Sequence, residues 1–216
     1  MQSSNGIVSF ININIMMKLN YILLSCIIVS LFACTPTAMQ QSWTNPDQRD
    51  STKLFQKILF VALVKDAYTR KVAEDKLVEE VRPRGVASYN YLPNYYSGSG
   101  DTSLVSQRLR EDGFDGIVIM RLITVDNNTV NNPGSFPSYY NTWYGYYSSS
   151  YPLYNTRSSA AGNEIYSVET NVYSLQNNKL VWNGVTTAVN ISDKHRMIDG
   201  VIAAVKNKMK SQGFIK

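Results

Sequence analysis

The stretch Lys57-Ile-Leu-Phe-Val-Ala-Leu-Val64 constrains this chain more than any other. An unbroken apolar run leaves no face for water, so a strand here must be covered on both sides. Helices are therefore expected above and below a sheet. One follows at once: Asp66 or Thr69 caps a helix reaching about Val81, with Ala73, Leu77 and Val81 on one face and Val78 beside it. Arg70/Glu74 and Lys71/Asp75 read as exposed i,i+4 pairs, and Pro83 and Gly85 stop the helix. A second strand is predicted over 86–92. Asp101 then caps a helix over 102–112 that Gly113 closes, and a third strand runs over 116–126. Residues 164–175 alternate, with Tyr166, Val168, Thr170 and Val172 on one face. Asn177-Asn178 reads as a two-residue turn into a strand over 180–189, which sets Tyr173 against Trp182 and Leu175 against Leu180. Ser192 caps a last helix carrying Met197, Ile198, Val201, Ile202, Val205 and Met209, ended by Gly213. The order β-α-β-α-β-(aromatic insert)-β-β-α gives a single α/β domain, a mixed sheet of about five strands with three helices.

The N-terminus carries a different kind of signal. From Met17 the chain reads Met-Lys-Leu-Asn, followed by an apolar run from Tyr21 to Ala33 and then Cys34. A basic start, a short apolar core and a small residue before a cleavage point describe a secretory signal peptide over 1–33. The core is shorter than the roughly 20 residues a membrane-spanning helix needs. Residues 1–16 add nothing to this signal and read as an extension ahead of the true start at Met16 or Met17. Leu31-Phe32-Ala33-Cys34 resembles the lipobox of bacterial lipoproteins, which implies diacylation of Cys34 and cleavage before it. Leu23-Leu24-Ser25-Cys26 is a rival lipobox, but cleavage there would leave an apolar mature N-terminus. Cys34 leads instead into a polar segment, and residues 34–52 are read as a lipidated cysteine and flexible tether, with the domain over 53–216. Two acyl chains suffice for stable anchoring. Thr35 after the cysteine, where enteric sorting would read an aspartate as retention at the inner membrane, favours the outer membrane.

Composition excludes more than it assigns. Both cysteines lie at or before the anchor, so the exported domain has no internal disulfide. Of 21 Lys and Arg residues only Lys18 is lost with the signal, which leaves a modest excess over 16 acidic residues. Basic and acidic side chains interleave on the predicted helices, the pattern of solvated faces rather than of a nucleic-acid stripe. His195 is the single histidine, at the start of the last helix. A zinc site or a Cys/His nucleophile would lack ligands and bases, and no metal or cofactor is expected. The loop Gly98-Ser99-Gly100-Asp101 lies where phosphate loops lie, but Asp101 opposes an anion and no lysine follows.

Residues 131–161 form an insert of unusual make-up. Between Ser138 and Tyr154 there are seven tyrosines, one tryptophan and no charge. Tyrosine-rich, charge-free loops give contact area at low entropic cost. Trp143, Tyr144, Tyr146 and Tyr147 are the candidate partner-binding residues, for an envelope protein or a glycan. The competing expectation is a flap that buries its own rings against the sheet. Glu169 falls mid-strand among Val and Thr, and with Asn171 and Arg121 forms a candidate polar groove near Thr186.

The segment Val168-Glu-Thr-Asn-Val-Tyr-Ser-Leu-Gln-Asn-Asn-Lys-Leu-Val-Trp-Asn-Gly184 resembles a hairpin of small bacterial envelope lipoproteins of largely unknown function, in which it follows a Tyr-rich insert. In architecture the chain also resembles the penicillin-binding-protein activator and curli-secretion lipoproteins. The resemblance implies an α/β envelope lipoprotein and supplies no catalytic residues. The expectation is a non-catalytic, lipid-anchored accessory or scaffolding protein; the alternative is an envelope hydrolase acting on glycan or peptidoglycan with Glu169 as acid/base.

Overall fold

In a computed structural model of the chain the elements run β1 (Thr37–Thr44), β2 (Ile58–Leu63), α1 (Ala67–Glu80), β3 (Gly85–Ala87), α2 (Ser88–Tyr91), α3 (Thr102–Glu111), β4 (Gly116–Ile123), α4 (Trp143–Thr156), β5 (Ile165–Ser174), β6 (Lys179–Val189) and α5 (Lys194–Ser211). The structure describes residues 37–48, 55–91, 102–123, 136–156, 165–189 and 193–215. All belong to a unit running from Pro36 to Lys216. The signal, both cysteines, Asp101 and Ser192 lie outside the described residues.

The long apolar run is β2, and every one of its residues is buried. Ile58, Phe60 and Ala62 enter one hydrophobic cluster, and Leu59, Val61 and Leu63 enter another. These clusters are the two faces of one sheet of order β1-β6-β5-β4-β2-β3. The strands β3, β2 and β4 run parallel, while β5, β6 and β1 follow in antiparallel pairs. Helices α1 and α5 cover the first face with Ala73, Leu77, Ile198, Val201 and Val205. Helices α3 and α4 cover the second with Val105, Leu109, Trp143 and Tyr146. The α/β class stands, with six strands and five helices, one of them the single-turn α2, among the described residues.

The sixth strand lies where the tether was expected. Thr37–Thr44 pairs antiparallel with β6, from Thr37–Ala188 to Thr44–Trp182, with an irregularity between Met39 and Gln41. Two contacts override its polar composition. The Trp43 ring meets Phe136 edge-on at 5.2 Å. At the other end α5 approaches so closely that a Cβ on Gly200 would lie 2.5 Å from Thr37 Oγ1. Only glycine permits that approach, at the cost of helix propensity.

Other expectations shift by a few residues. The second strand shortens to Gly85–Ala87 and gives way to α2. Leu175 turns into the core, its N–H bonding Asp115 O, so it does not face Leu180. Ser174 and Lys179 close a four-residue loop over 175–178, with Asn178 at φ 50°. A bulge then sets Val172 against Trp182, one residue from the predicted register, and Tyr173 against Leu180, two residues from it. Val181 and Trp182 both enter the face under α1 and α5. Asp66 caps α1 through Thr69 N, and Asp193 caps α5 through His195 N. Gly113 and Gly213 take positive φ after α3 and α5 as expected.

Two outcomes test this fold. As β1 is an edge strand, the alternate amides of its residues that bond β6 should exchange far more slowly than in a free chain; exchange of all of them at the free-chain rate would return the segment to a tether. Gly184→Ala drives a methyl group into the Trp182 ring. Overpacking of that kind costs about 1–3 kcal/mol, read as a Tm lowered by roughly 3–10 °C for a domain of this size.

Candidate functional site

Arg121 on β4 and Glu169 on β5 are paired across the sheet in register. Their side chains meet at 2.9 Å, Arg121 Nε donating to Glu169 Oε2, with only 15% and 5% of each side chain exposed. Asn171 is two residues along the same face, opposite Asn183. The three residues expected to form a groove are therefore neighbours, and Asn183 joins them. Asn183 Nδ2 donates to Glu169 Oε1 at 3.1 Å and to Asn171 Oδ1 at 2.7 Å. Thr186 is not part of this set. The bulge sets it opposite Val168, whose carbonyl accepts its hydroxyl.

The aromatic insert closes over this cluster. After a 3-10 turn at Ser138–Tyr140, Thr142 Oγ1 accepts from Gly145 N at 3.1 Å and starts α4 as an N-cap would. Tyr140 donates its hydroxyl to Glu169 Oε1 at 2.8 Å, and Tyr146 donates to Oε2 at 2.6 Å. The Arg121 guanidinium also lies over the Tyr146 ring, 4.8 Å from its centroid. Each oxygen of Glu169 thus accepts two bonds, and the groove is filled by the insert itself. Asn171 Nδ2 and the Tyr173 hydroxyl, on the same strand face, make no hydrogen bond among the described residues.

This arrangement corrects the expected contact surface. Trp143 is 2% exposed, with Nε1 donating to Ser106 Oγ, and Tyr146 is fully buried. Neither can touch a partner from this position. Their rings are spent on the sheet, where Phe136, Tyr140, Tyr146 and Tyr173 form a continuous contact series. Tyr144 and Tyr147 remain partly exposed and pack against Trp143 from outside. Tyr139 is exposed beside them in the chain.

Burial, followed by the Glu169 charge, pushes the Tyr140 and Tyr146 phenols well above their ordinary range. Tyr173 moves the same way for the same two reasons. All three stay protonated at neutral pH, which keeps Tyr140 and Tyr146 as donors. Burial alone would disfavour the Arg121 charge, but the surrounding acidic groups, Glu169 among them, outweigh it and raise its pKa.

A second buried carboxylate escaped the sequence reading. Glu74, expected on an exposed face, is fully buried. It accepts from Ala62 N, Arg70 Nε and Ser88 Oγ through Oε1, and from Tyr89 N through Oε2. The ladder between β2 and β3 stops at Phe60–Ala87, and Glu74 takes up the next inward-facing N–H of β2. A Ser-Tyr pair just after a strand and a Glu two turns into the preceding helix is too common to have signalled it.

His195 sits half-exposed in an open cleft of about 470 Å³ between the starts of α1 and α5, lined also by Asp66, Tyr68, Thr69 and Lys194. Its Nε2 lies 3.4 Å from the Tyr68 hydroxyl. Among the described residues no group of three His, Cys, Asp or Glu side chains is placed to hold a metal ion.

No protein-family model matches the chain, and no curated protein matches it. Among solved structures, the PelC dodecamer from Paraburkholderia phytofirmans overlaps with a TM-score of 0.40 at 8% identity, over 78% of this chain and 94% of that one. A single-substitution form of the same PelC overlaps with 0.40 at 8% identity, over 76% and 94%. Lipoprotein GNA1162 from Neisseria meningitidis overlaps with 0.37 at 10% identity, over 72% and 96%. Overlaps this loose carry no inference about what the chain does.

Removing one partner of a buried ion pair costs about 3–5 kcal/mol, so Arg121→Met should lower the Tm by more than 5 °C. Tyr146→Phe removes a bond to a charged acceptor and should cost about 1.5–3 kcal/mol. Unchanged melting in both would mean the cluster is solvated. Alkaline titration offers a separate check. In the unfolded chain the phenols titrate near 10.0, while Tyr140, Tyr146 and Tyr173 are held higher in the fold. Their contribution to stability is complete below pH 10 and is lost as pH rises beyond it. Tyrosinate absorbance should therefore appear in two stages, exposed rings first and the buried three together with loss of the far-UV signal.

Proposed function

We propose that this chain is an exported, lipid-anchored, non-catalytic accessory protein of the bacterial cell envelope, tethered to the outer membrane through Cys34. The observation that carries the reading is Leu31-Phe32-Ala33-Cys34 at the end of a basic-then-apolar leader, followed within three residues by an ordered strand. The acyl chains supply membrane attachment, and among the described residues no helix is long and apolar enough to cross a membrane.

The non-catalytic part of the reading is supported by the state of Glu169. An acid/base carboxylate must reach a substrate atom. This one is 4% exposed, accepts four bonds from neighbouring side chains and is roofed by α4. The hydrolase alternative loses its acid. The proposed role is to hold another envelope component, a protein or a glycan, through the outward side of the aromatic segment. Trp143 and Tyr146 leave the contact set, and Tyr139, Tyr144 and Tyr147 make it up.

Mass analysis of the membrane-extracted protein should show an N-terminal diacylglyceryl-modified Cys34, and Cys34→Ala should move the protein to the soluble fraction. A mature chain beginning at another residue, or an unmodified cysteine, would overturn the anchor. Photocrosslinking from position 144 or 147 in cells should then give a discrete adduct that the Cys34→Ala form reduces. Absence of any adduct from both positions would remove the aromatic segment as a contact surface.

A further inference from the structure

The register of the sheet fixes which end of the domain faces the anchor. Thr37 pairs with Ala188, next to the last residue of β6, Val189, which in turn pairs with the first residue of β5. Ile123, the last residue of β4, pairs with Ser167, two residues into β5. The parallel strand β2 ends at the same level and leads into α1, and α5 starts just after β6. Lys194 and His195 of α5 meet Asp66 and Tyr68 of α1 there. One end of the sheet therefore gathers the start of β1, the ends of β2, β4 and β6, and the starts of α1 and α5.

The chain between Cys34 and Thr37 is Thr35-Pro36 alone. Three residue steps span at most about 11 Å, little more than the roughly 5–8 Å depth of one headgroup layer. With acyl chains on Cys34, the start of β1 cannot leave the bilayer surface, whatever the domain's tilt.

This same end carries an apolar surface. Tyr68 is 64% exposed, Leu122 41% and Val189 40%, three of the five large apolar side chains exposed among the described residues. Lys65, Lys194 and Arg196 are exposed around them. Among the described residues the carboxylates at this end, Asp66 and Asp193, are engaged as helix caps and pair with Lys194 and Arg196. Tyrosine with aliphatic neighbours and a cationic rim matches the interfacial layer of a bilayer, where aromatic rings sit at headgroup level and basic side chains reach phosphates.

We propose that this end of the sheet lies on the bilayer interface, with Tyr68, Leu122 and Val189 in contact with lipid. The inference rests on the anchor at Cys34. It fixes the orientation that the anchor alone leaves open: strands β2, β4 and β6 point toward the membrane, and the β5–β6 loop points away.

The mature chain has no thiol besides the acylated one, so a single introduced cysteine labels uniquely. Lipidated Tyr68→Cys, Leu122→Cys, Val189→Cys and Asn177→Cys proteins, each carrying an environment-sensitive fluorophore, are reconstituted into phosphatidylethanolamine–phosphatidylglycerol vesicles with nitroxide-labelled lipid. Flotation reports the anchor, and quenching reports contact. The expected result is flotation of all four, with quenching at 68, 122 and 189 at least two-fold stronger than at 177. Equal quenching at the two ends in floating protein overturns the orientation while leaving the anchor intact. A fluorescence shift at 68 and 189 without quenching also overturns it, and assigns the surface to a second copy or a protein partner. Failure to float removes the anchor, and this inference with it.

Discussion

An ion pair in the middle of a sheet is the constraint around which one whole side of this domain is organised. Arg121 and Glu169 face each other across β4 and β5 where α4 covers the sheet. Two charges withdrawn from water lose several kcal/mol of hydration each, and their attraction repays this only if the remaining hydrogen-bonding positions are filled. Four donors from four side chains fill the carboxylate. That requirement explains why tyrosine rather than phenylalanine stands at 140 and 146. A phenol closes the face with an apolar ring and still delivers an O–H to the charge beneath it.

The same requirement explains a helix that composition argues against. Residues 143–156 include a glycine, a proline and a run of serines, all weak helix formers. Isolated helices of this length draw most of their stability from packing. Trp143 and Tyr146 are one turn apart and both enter the sheet face, so tertiary contact selects the helix. Trp43 extends this aromatic packing to β1 through Phe136 and Tyr140, which ties the start of the domain to the insert.

How much of this could be read beforehand depends on how far each contact reaches along the chain. The strand at 58–63, the β5–β6 hairpin and the last helix announce themselves through runs, alternation and 3.6-residue spacing, all local patterns. Grouping Glu169, Asn171 and Arg121 was also legible, because strand alternation and one antiparallel pairing place them together. Their covering was not. That Tyr140 and Tyr146 donate to Glu169 depends on a pairing of segments more than twenty residues apart, with no periodicity to mark it. Strand β1 was missed for a related reason: Thr-Ala-Met-Gln-Gln-Ser-Trp-Thr reads as polar, and only a tryptophan standing among glutamine and serine hinted that something would cover it. Glu74 shows the opposite error. Spacing to Arg70 suggested a surface pair, when the salt bridge is one of four bonds to a carboxylate with no exposure.

The pairing of β1 has a mechanical consequence. Under the proposed anchor, a pull between the membrane and the far side of the domain would run along β1 from its first residue, parallel to the strand axis. Its hydrogen bonds to β6, from Thr37–Ala188 to Thr44–Trp182, lie across that axis and are loaded in shear together. A strand peeled from its end would fail one bond at a time. Held lengthwise, β1 resists as a set, so under the proposed anchor the joint that takes the force is the first ladder of the domain's own sheet.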